Sequence, residues 1–147
     1  MKTLLLDIGN SRLKWGVLDD GAIRRTGNVW RRSMQEQGMS ILDPDLPLDV
    51  DSVAACNVAG EKLAAELARF IKSRCGHDVQ FVRSAVQACG VTNSYRQPDR
   101  LGVDRWTAMI GAWQSCETCC VIVDAGTAIT IDVLDDDGRH LGGQIMP

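Results

Sequence analysis

The sequence predicts a mixed α/β fold, and three observations carry that expectation. Apolar residues alternate loosely through the first thirty positions, with Asp19-Asp20-Gly21 as a turn signal between two runs, which is the pattern of antiparallel strands. Leu63, Leu67, Phe70 and Ile71 then fall at i, i+4, i+7 and i+8, the spacing of one helix face. Short apolar runs bounded by polar residues flank that helix on both sides, as strands of a buried sheet do.

Taken in order, Thr3 to Leu6, Arg12 to Leu18 and Ala22 to Trp30 make an antiparallel three-strand meander. The segment Gln35 to Pro47 is broken by Gly38, Pro44 and Pro47 and is assigned one irregular helix. Asp51 to Val58 reads as a mostly buried strand, the helix that follows ends at Gly76, where a C-cap belongs, and Val79 to Val82 is a further strand. A second helix runs from Gly102 to about Trp113, and Cys119 to Asp124 is assigned a buried strand. Ala128 to Leu134 pairs back to it after the tight Ala125-Gly126-Thr127 turn, and Asp137-Gly138 marks the next hairpin.

The composition, 147 residues with 45% hydrophobic and 24% charged, is that of one globular core. No run of about 18 apolar residues is present to span a bilayer. The apolar run after Met1 is about four residues long, short of the ~7 to 15 of a signal peptide, so a cytoplasmic protein is expected. A net charge of −3 gives no general attraction to nucleic acid or acidic lipid. Arg24, Arg25, Arg31 and Arg32 are read as a solvated strand pair. The six cysteines, Cys56, Cys75, Cys89, Cys116, Cys119 and Cys120, are expected as reduced thiols because nothing in the sequence indicates export, and the one CxxC spacing lacks the second pair or nearby histidine that would complete a zinc site. His77 and His140 are assigned no chemistry, and Trp15, Trp30, Trp106 and Trp113 are assigned to packing.

One device occurs twice. Asp7-Ile8-Gly9-Asn10-Ser11 follows the first strand, and Asp124-Ala125-Gly126-Thr127 follows a later one. Each places a carboxylate at a strand end, then glycine, then a small polar residue. Such a turn suits polyphosphate: glycine lets the backbone approach, and N–H groups with the Asn10, Ser11 and Thr127 side chains are donors. Asp7 is a candidate Mg²⁺ ligand, since that ion takes a few carboxylates plus substrate oxygens. Arg12 and Lys14 share one strand face, either reaching a phosphate or simply solvated. A single Asp-x-Gly turn is ordinary hairpin chemistry; the pair points to nucleotide phosphates.

Asp7 to Gly16 resembles the first phosphate motif of the type III pantothenate kinases, within the actin, Hsp70 and sugar-kinase superfamily, and Val123 to Thr130 resembles their second. Between them Asn93-Ser94-Tyr95, Pro98 and Leu101 to Trp106 are similar to the family's substrate and catalytic segment, and Gly142 to Pro147 to its next stretch. The resemblance implies a ribonuclease H-like actin-type ATPase fold, a mixed sheet with the three-strand meander flanked by helices. It implies a first domain over 1–117 and the opening of a second over 118–147, with later elements of the family wanting and therefore no kinase activity for this stretch alone.

The implied activity is ATP-dependent phosphorylation of pantothenate, the first step of coenzyme A biosynthesis. By resemblance, Asp104 is the general base; Tyr95, Gly102, Val103, Asp104 and Arg105 bind pantothenate; and Asp7, Ile8, Gly9, Asn10, Ser11, Arg12, Leu13, Lys14 and Thr127 bind ATP with Mg²⁺. Asp124 is implied to bind a monovalent cation, K⁺ or NH₄⁺, and the protein to be a homodimer. The residues alone leave Asp104 equally readable as a helix N-cap, Tyr95 as packing, and Asp124 as a Mg²⁺ ligand or turn former. Competing functions are another actin-like phosphotransferase or phosphatase, and a non-catalytic accessory regulator of transcription, as members of the family have been described.

Overall fold

Strand β1 (Lys2–Ile8) buries Leu4, Leu6 and Ile8 on one face, and strand alternation turns Thr3, Leu5 and Asp7 to the other. It pairs antiparallel with β2 (Arg12–Asp19), which pairs antiparallel with β3 (Ala22–Trp30). The expected meander is therefore present. On its other edge β1 runs parallel to β4 (Ser52–Asn57), and β4 runs parallel to β5 (Val79–Phe81), giving the mixed order β3-β2-β1-β4-β5. In this computed structural model, which describes residues 1–42 and 44–147, the chain forms two units, Met1–Val82 and Arg83–Pro147.

The parallel β4–β5 pair needs a crossover, supplied by α2 (Glu61–Cys75). Its Leu67 and Ile71 are buried in one cluster with Leu4, Leu6, Val53 and Ala55 of the sheet, and its Ala64 is buried as well. Gly76 closes the helix in the left-handed conformation at φ 77°, its N–H bonded to the Lys72 carbonyl, as the glycine signal predicts.

The broken segment holds α1 (Arg31–Gln37) and a 3-10 turn over Met39–Leu42; Asp43 within it lies outside the described residues. Arg31 and Arg32 begin α1, which corrects their assignment to a strand pair. Trp30 precedes the helix in extended conformation, and Arg31 bonds back to the phosphate-type turn through its backbone N–H to the Ser11 carbonyl at 2.9 Å.

In the second unit α3 (Val103–Cys116) packs Trp106 and Met109 with Val91, Leu101 and Leu134. Two short strands that sequence patterning passed over, β6 (Gln87–Ala88) and β7 (Val91–Thr92), form a hairpin whose turn residues Cys89 and Gly90 both have positive φ. The remaining strands β8 (Cys120–Ala125), β9 (Ile129–Leu134) and β10 (His140–Met146) form an antiparallel sheet in the order β10-β9-β8.

The expectation of a buried strand at Cys119 to Asp124 is corrected. β8 is an edge strand, with Val121 64% and Val123 61% exposed. Its inward residues, Cys120 and Ile122, pack on the core beneath α3 while the alternate positions face outward. A continuous apolar run does not reveal that only one of its faces is covered. Among the described residues, no helix is long and apolar enough to cross a membrane.

Candidate active site

In the first unit the turn Gly9–Ser11 closes through a bond from the Gly9 N–H to the Arg12 carbonyl at 3.0 Å. The β1–β2 register sets Asp7 opposite Lys14, and the Lys14 ammonium lies 3.5 Å from the Asp7 carboxylate. The Cys56 thiol, opposite Asp7 on β4, donates to the same carboxylate at 3.3 Å. Asp7 keeps 40% of its side chain exposed and Lys14 keeps 56%, so both remain accessible to a ligand. Among the described residues no three His, Cys, Asp or Glu side chains form a ready cage for a metal. A site of one carboxylate completed by phosphate oxygens is the pattern Mg²⁺ uses.

The other residues expected at this turn divide by role. Ile8 and Leu13 are fully buried, so only their main chain is available to phosphate. Arg12 stacks 3.7 Å over the Trp30 ring and reaches the Asn28 side-chain oxygen at 3.4 Å, which holds it on the sheet. Asn10 presents its carbonyl to the Arg31 guanidinium at 3.0 Å, and its side chain is exposed.

In the second unit, Asp104 stands in the first turn of α3, where the helix dipole favours an anion. The N-cap position is Gly102 and no side chain caps the helix, so the N-cap reading of Asp104 is corrected. Its Oδ1 instead accepts the Arg105 backbone N–H at 2.8 Å. A β-carbon at position 102 would sit 2.6 Å from that oxygen; glycine there leaves the carboxylate room.

Arg105 is only 6% exposed and is gripped by the equally buried Asp132 of β9. Its Nε donates to Oδ2 at 2.8 Å and its Nη2 to Oδ1 at 2.6 Å, a bidentate fork. Nη1 donates to the Tyr95 hydroxyl at 3.2 Å. The hydrogen bonds it donates to Asp132 hold the guanidinium protonated above its ordinary range, against burial, which pulls the other way.

His140 of β10, also buried, completes the arrangement. Its Nε2 lies 2.8 Å from Asp132 Oδ1; a carboxylate only accepts, so Nε2 carries the proton. In the neutral ring, Nδ1 then accepts from the Ser94 hydroxyl at 3.2 Å. Tyr95 stacks on the same imidazole with ring centroids 5.9 Å apart.

The segment Asn93–Tyr95 has a local reason for its sequence. The buried Asn93 amide donates to the carbonyls of Ala85 and Pro98 at 3.1 and 3.2 Å, while its oxygen accepts the Tyr95 N–H at 3.0 Å. One side chain thus pins both ends of the loop and aims Tyr95.

Asp124 and Thr127 are exposed around the β8–β9 turn. Asp124 pairs with Thr130 across the ladder, and the turn closes from the Gly126 N–H to the Ala128 carbonyl at 3.0 Å. Nearby, Thr118 and the Cys119 N–H both donate to Asp136, at 3.2 and 3.0 Å. Cys116 ends α3, and burial together with a hydrogen bond to Cys116 pushes the Cys120 thiol up.

Each unit therefore gathers its own group: Asp7, Lys14 and the Gly9 turn in one; Asp104, Arg105 and Tyr95 in the other. Asp132 and His140 escaped sequence reasoning, and Ser94 was placed in a motif without a role of its own. Asp132 and His140 are eight residues apart on two strands, and only the β9–β10 register brings them to one carboxylate–imidazole contact. The available signal was an acidic residue alone among the apolar positions of Ile129 to Leu134.

The profile of the type III pantothenate kinase family matches residues 3–147. The chain belongs to this family. Among curated type III pantothenate kinases it is 43% identical to that of Halorhodospira halophila, over 98% of this chain and 59% of the relative. It is 40% identical to that of Methylobacillus flagellatus, over 98% of this chain and 56% of the relative. The chain thus spans little more than half the length of these kinases. Among solved structures it resembles the ethanolamine utilization protein EutJ of Carboxydothermus hydrogenoformans, with TM-score 0.55 and 14% identity over 100% of this chain and 52% of that one. A Ppx/GppA family member of Aquifex aeolicus superposes with TM-score 0.51 and 13% identity, over 100% of this chain and 51% of that one. These likenesses show the fold: the actin-like α/β architecture expected from the sequence is the one observed.

Proposed function

We propose that this chain supplies the phosphate-binding and substrate-orienting half of an ATP-dependent kinase that converts pantothenate to 4′-phosphopantothenate, the first committed reaction toward coenzyme A. The observation that carries this reading is the adjacency, in the first turn of α3, of a half-buried carboxylate and a forked guanidinium, Asp104 and Arg105. Phosphoryl transfer asks a protein mainly to orient a nucleophile and neutralise charge. Asp104 accepts the proton of the substrate hydroxyl as its oxygen attacks the γ-phosphoryl group; an ordinary carboxylate suffices at hydrogen-bond distance. Arg105, Tyr95, Gly102 and Val103 hold pantothenate, and the helix N-terminus adds its N–H groups.

Asp7, Lys14 and the main chain of Ile8 to Leu13 receive the ATP phosphates together with Thr127, and Asp7 is the carboxylate suited to Mg²⁺. Asp124 takes the monovalent cation, K⁺ or NH₄⁺. The reading further includes a family domain division at 117/118, a homodimer, and a cytoplasmic location.

The test fuses this chain to the remaining part of the H. halophila relative and supplies ATP, Mg²⁺, K⁺ and pantothenate. Formation of 4′-phosphopantothenate by the fusion, with none from the chain alone, is the expected result. A fusion that folds but makes no product, alongside an active parent enzyme, refutes the assignment. Pantothenate-independent release of phosphate would instead favour another actin-like phosphotransferase or phosphatase.

A further inference from the structure

We infer that Asp132 and His140 are positioning residues that lock one edge of the Arg105 guanidinium and leave its remaining N–H groups as the reader of the substrate's carboxylate. The inference rests on the pantothenate reading above and adds to it the residues that set specificity.

Of the five guanidinium N–H groups, the bonds to Asp132 and Tyr95 use three: Nε, one on Nη2 and one on Nη1. One N–H remains on each terminal nitrogen, the pair a second carboxylate accepts from. A freely rotating arginine would lose that geometry along four torsions. Here the Asp132 fork fixes the plane, and the imidazole fixes Asp132 in turn through the 2.8 Å bond to Oδ1. Ser94 and the stacked Tyr95 hold the imidazole.

Gly143 of β10, itself exposed, packs its backbone against the ion pair. A β-carbon there would stand 2.5 Å from Nη2 and overlap Asp132 Oδ1. Its absence lets the β10 backbone lie directly against the guanidinium and its carboxylate partner.

The experiment titrates the ¹⁵N-labelled H. halophila fusion with pantothenate and with pantothenyl alcohol, which carries CH₂OH in place of the carboxylate, following the Arg105 Nε–H and the Tyr95 amide. Wild-type should favour pantothenate by about tenfold or more, the worth of one charge-assisted pair. Asp132→Asn and His140→Leu should both bring that preference to near parity while leaving the affinity for the alcohol unchanged, and His140→Gln, which keeps an N–H donor, should restore most of it. If Asp132→Asn fails to fold, the two His140 variants decide, because they leave both members of the Arg105–Asp132 ion pair in place. A preference that persists or rises in His140→Leu overturns the positioning role and leaves the kinase reading standing. Wild-type binding of both probes with equal affinity likewise overturns it alone. Binding of neither probe overturns the substrate reading and this inference together.

Discussion

Lys14 lies 3.5 Å from Asp7 across the β1–β2 ladder, each the direct partner of the other in register. Both side chains are about half exposed, so the pair contributes roughly 0–1 kcal/mol to stability. Its value is the placement of one cation and one anion beside a glycine turn. Lys14→Met and Asp7→Asn should therefore leave the unfolding midpoint in denaturant almost unmoved, yet weaken nucleotide binding to the H. halophila fusion at least several-fold. A large loss of stability with unchanged nucleotide affinity would contradict this.

Asp104→Asn keeps the shape and the bond to the Arg105 N–H but removes the carboxylate proposed as the base. In the fusion enzyme kcat should fall by about 10²- to 10⁴-fold, the typical worth of a positioned general base, with KM for pantothenate little changed. Circular dichroism should match wild-type. A kcat within a factor of a few of wild-type would assign Asp104 to the helix dipole alone.

The Arg105–Asp132 pair is buried, and leaving either charge without its partner is costly. Asp132→Ala should destabilise the chain by about 3–5 kcal/mol. The double substitution Arg105→Met with Asp132→Leu should recover much of that loss, since a well-packed apolar pair replaces the ions. Urea unfolding of the single and double variants measures both.

Two glycines make opposite predictions from the space around them. Gly143→Ala drives a methyl group into the Arg105–Asp132 fork and should cost stability, with the Arg105 Nε–H resonance shifted. Gly111, within α3, has nothing within 4 Å of a would-be β-carbon, so Gly111→Ala should stabilise by up to about 1 kcal/mol through helix propensity.

Asp136 accepts from the Cys119 N–H and from Thr118, bonds that hold its carboxyl below the usual range. A carboxyl lowered on folding stabilises the fold above its ordinary pKa, and the contribution is lost as pH falls through the lowered value. The Cys119 amide proton should therefore hold its chemical shift through the ordinary carboxylate range and move only at lower pH. In Asp136→Asn the same resonance should show no such step.

Legibility followed the range of the interactions. The meander, α2 with its Gly76 terminus, and the β8–β9 and β9–β10 hairpins were readable because periodicity and turn chemistry are local. The β6–β7 hairpin was not: each strand is two residues long, too short for alternation to register. The burial of β8 was misjudged because Val121 and Val123 carry no mark of which face is covered. At the site, Asp104, Arg105 and Tyr95 were visible through a motif, while the support under Arg105 was hidden. Asp132 and His140 look like a stray acid and a stray imidazole until strand register sets them 27 and 35 positions from Arg105 yet in one hydrogen-bonded chain.

The fork from α3 to β9 also welds a helix to a hairpin that share no neighbouring residues along the chain. Fraying of either element alone would strand an unsolvated charge, so partial opening is disfavoured relative to concerted release. Under native conditions the amides of α3 and of β9 should surrender their protons to deuterium at a common rate, and Asp132→Asn should split that single rate into two.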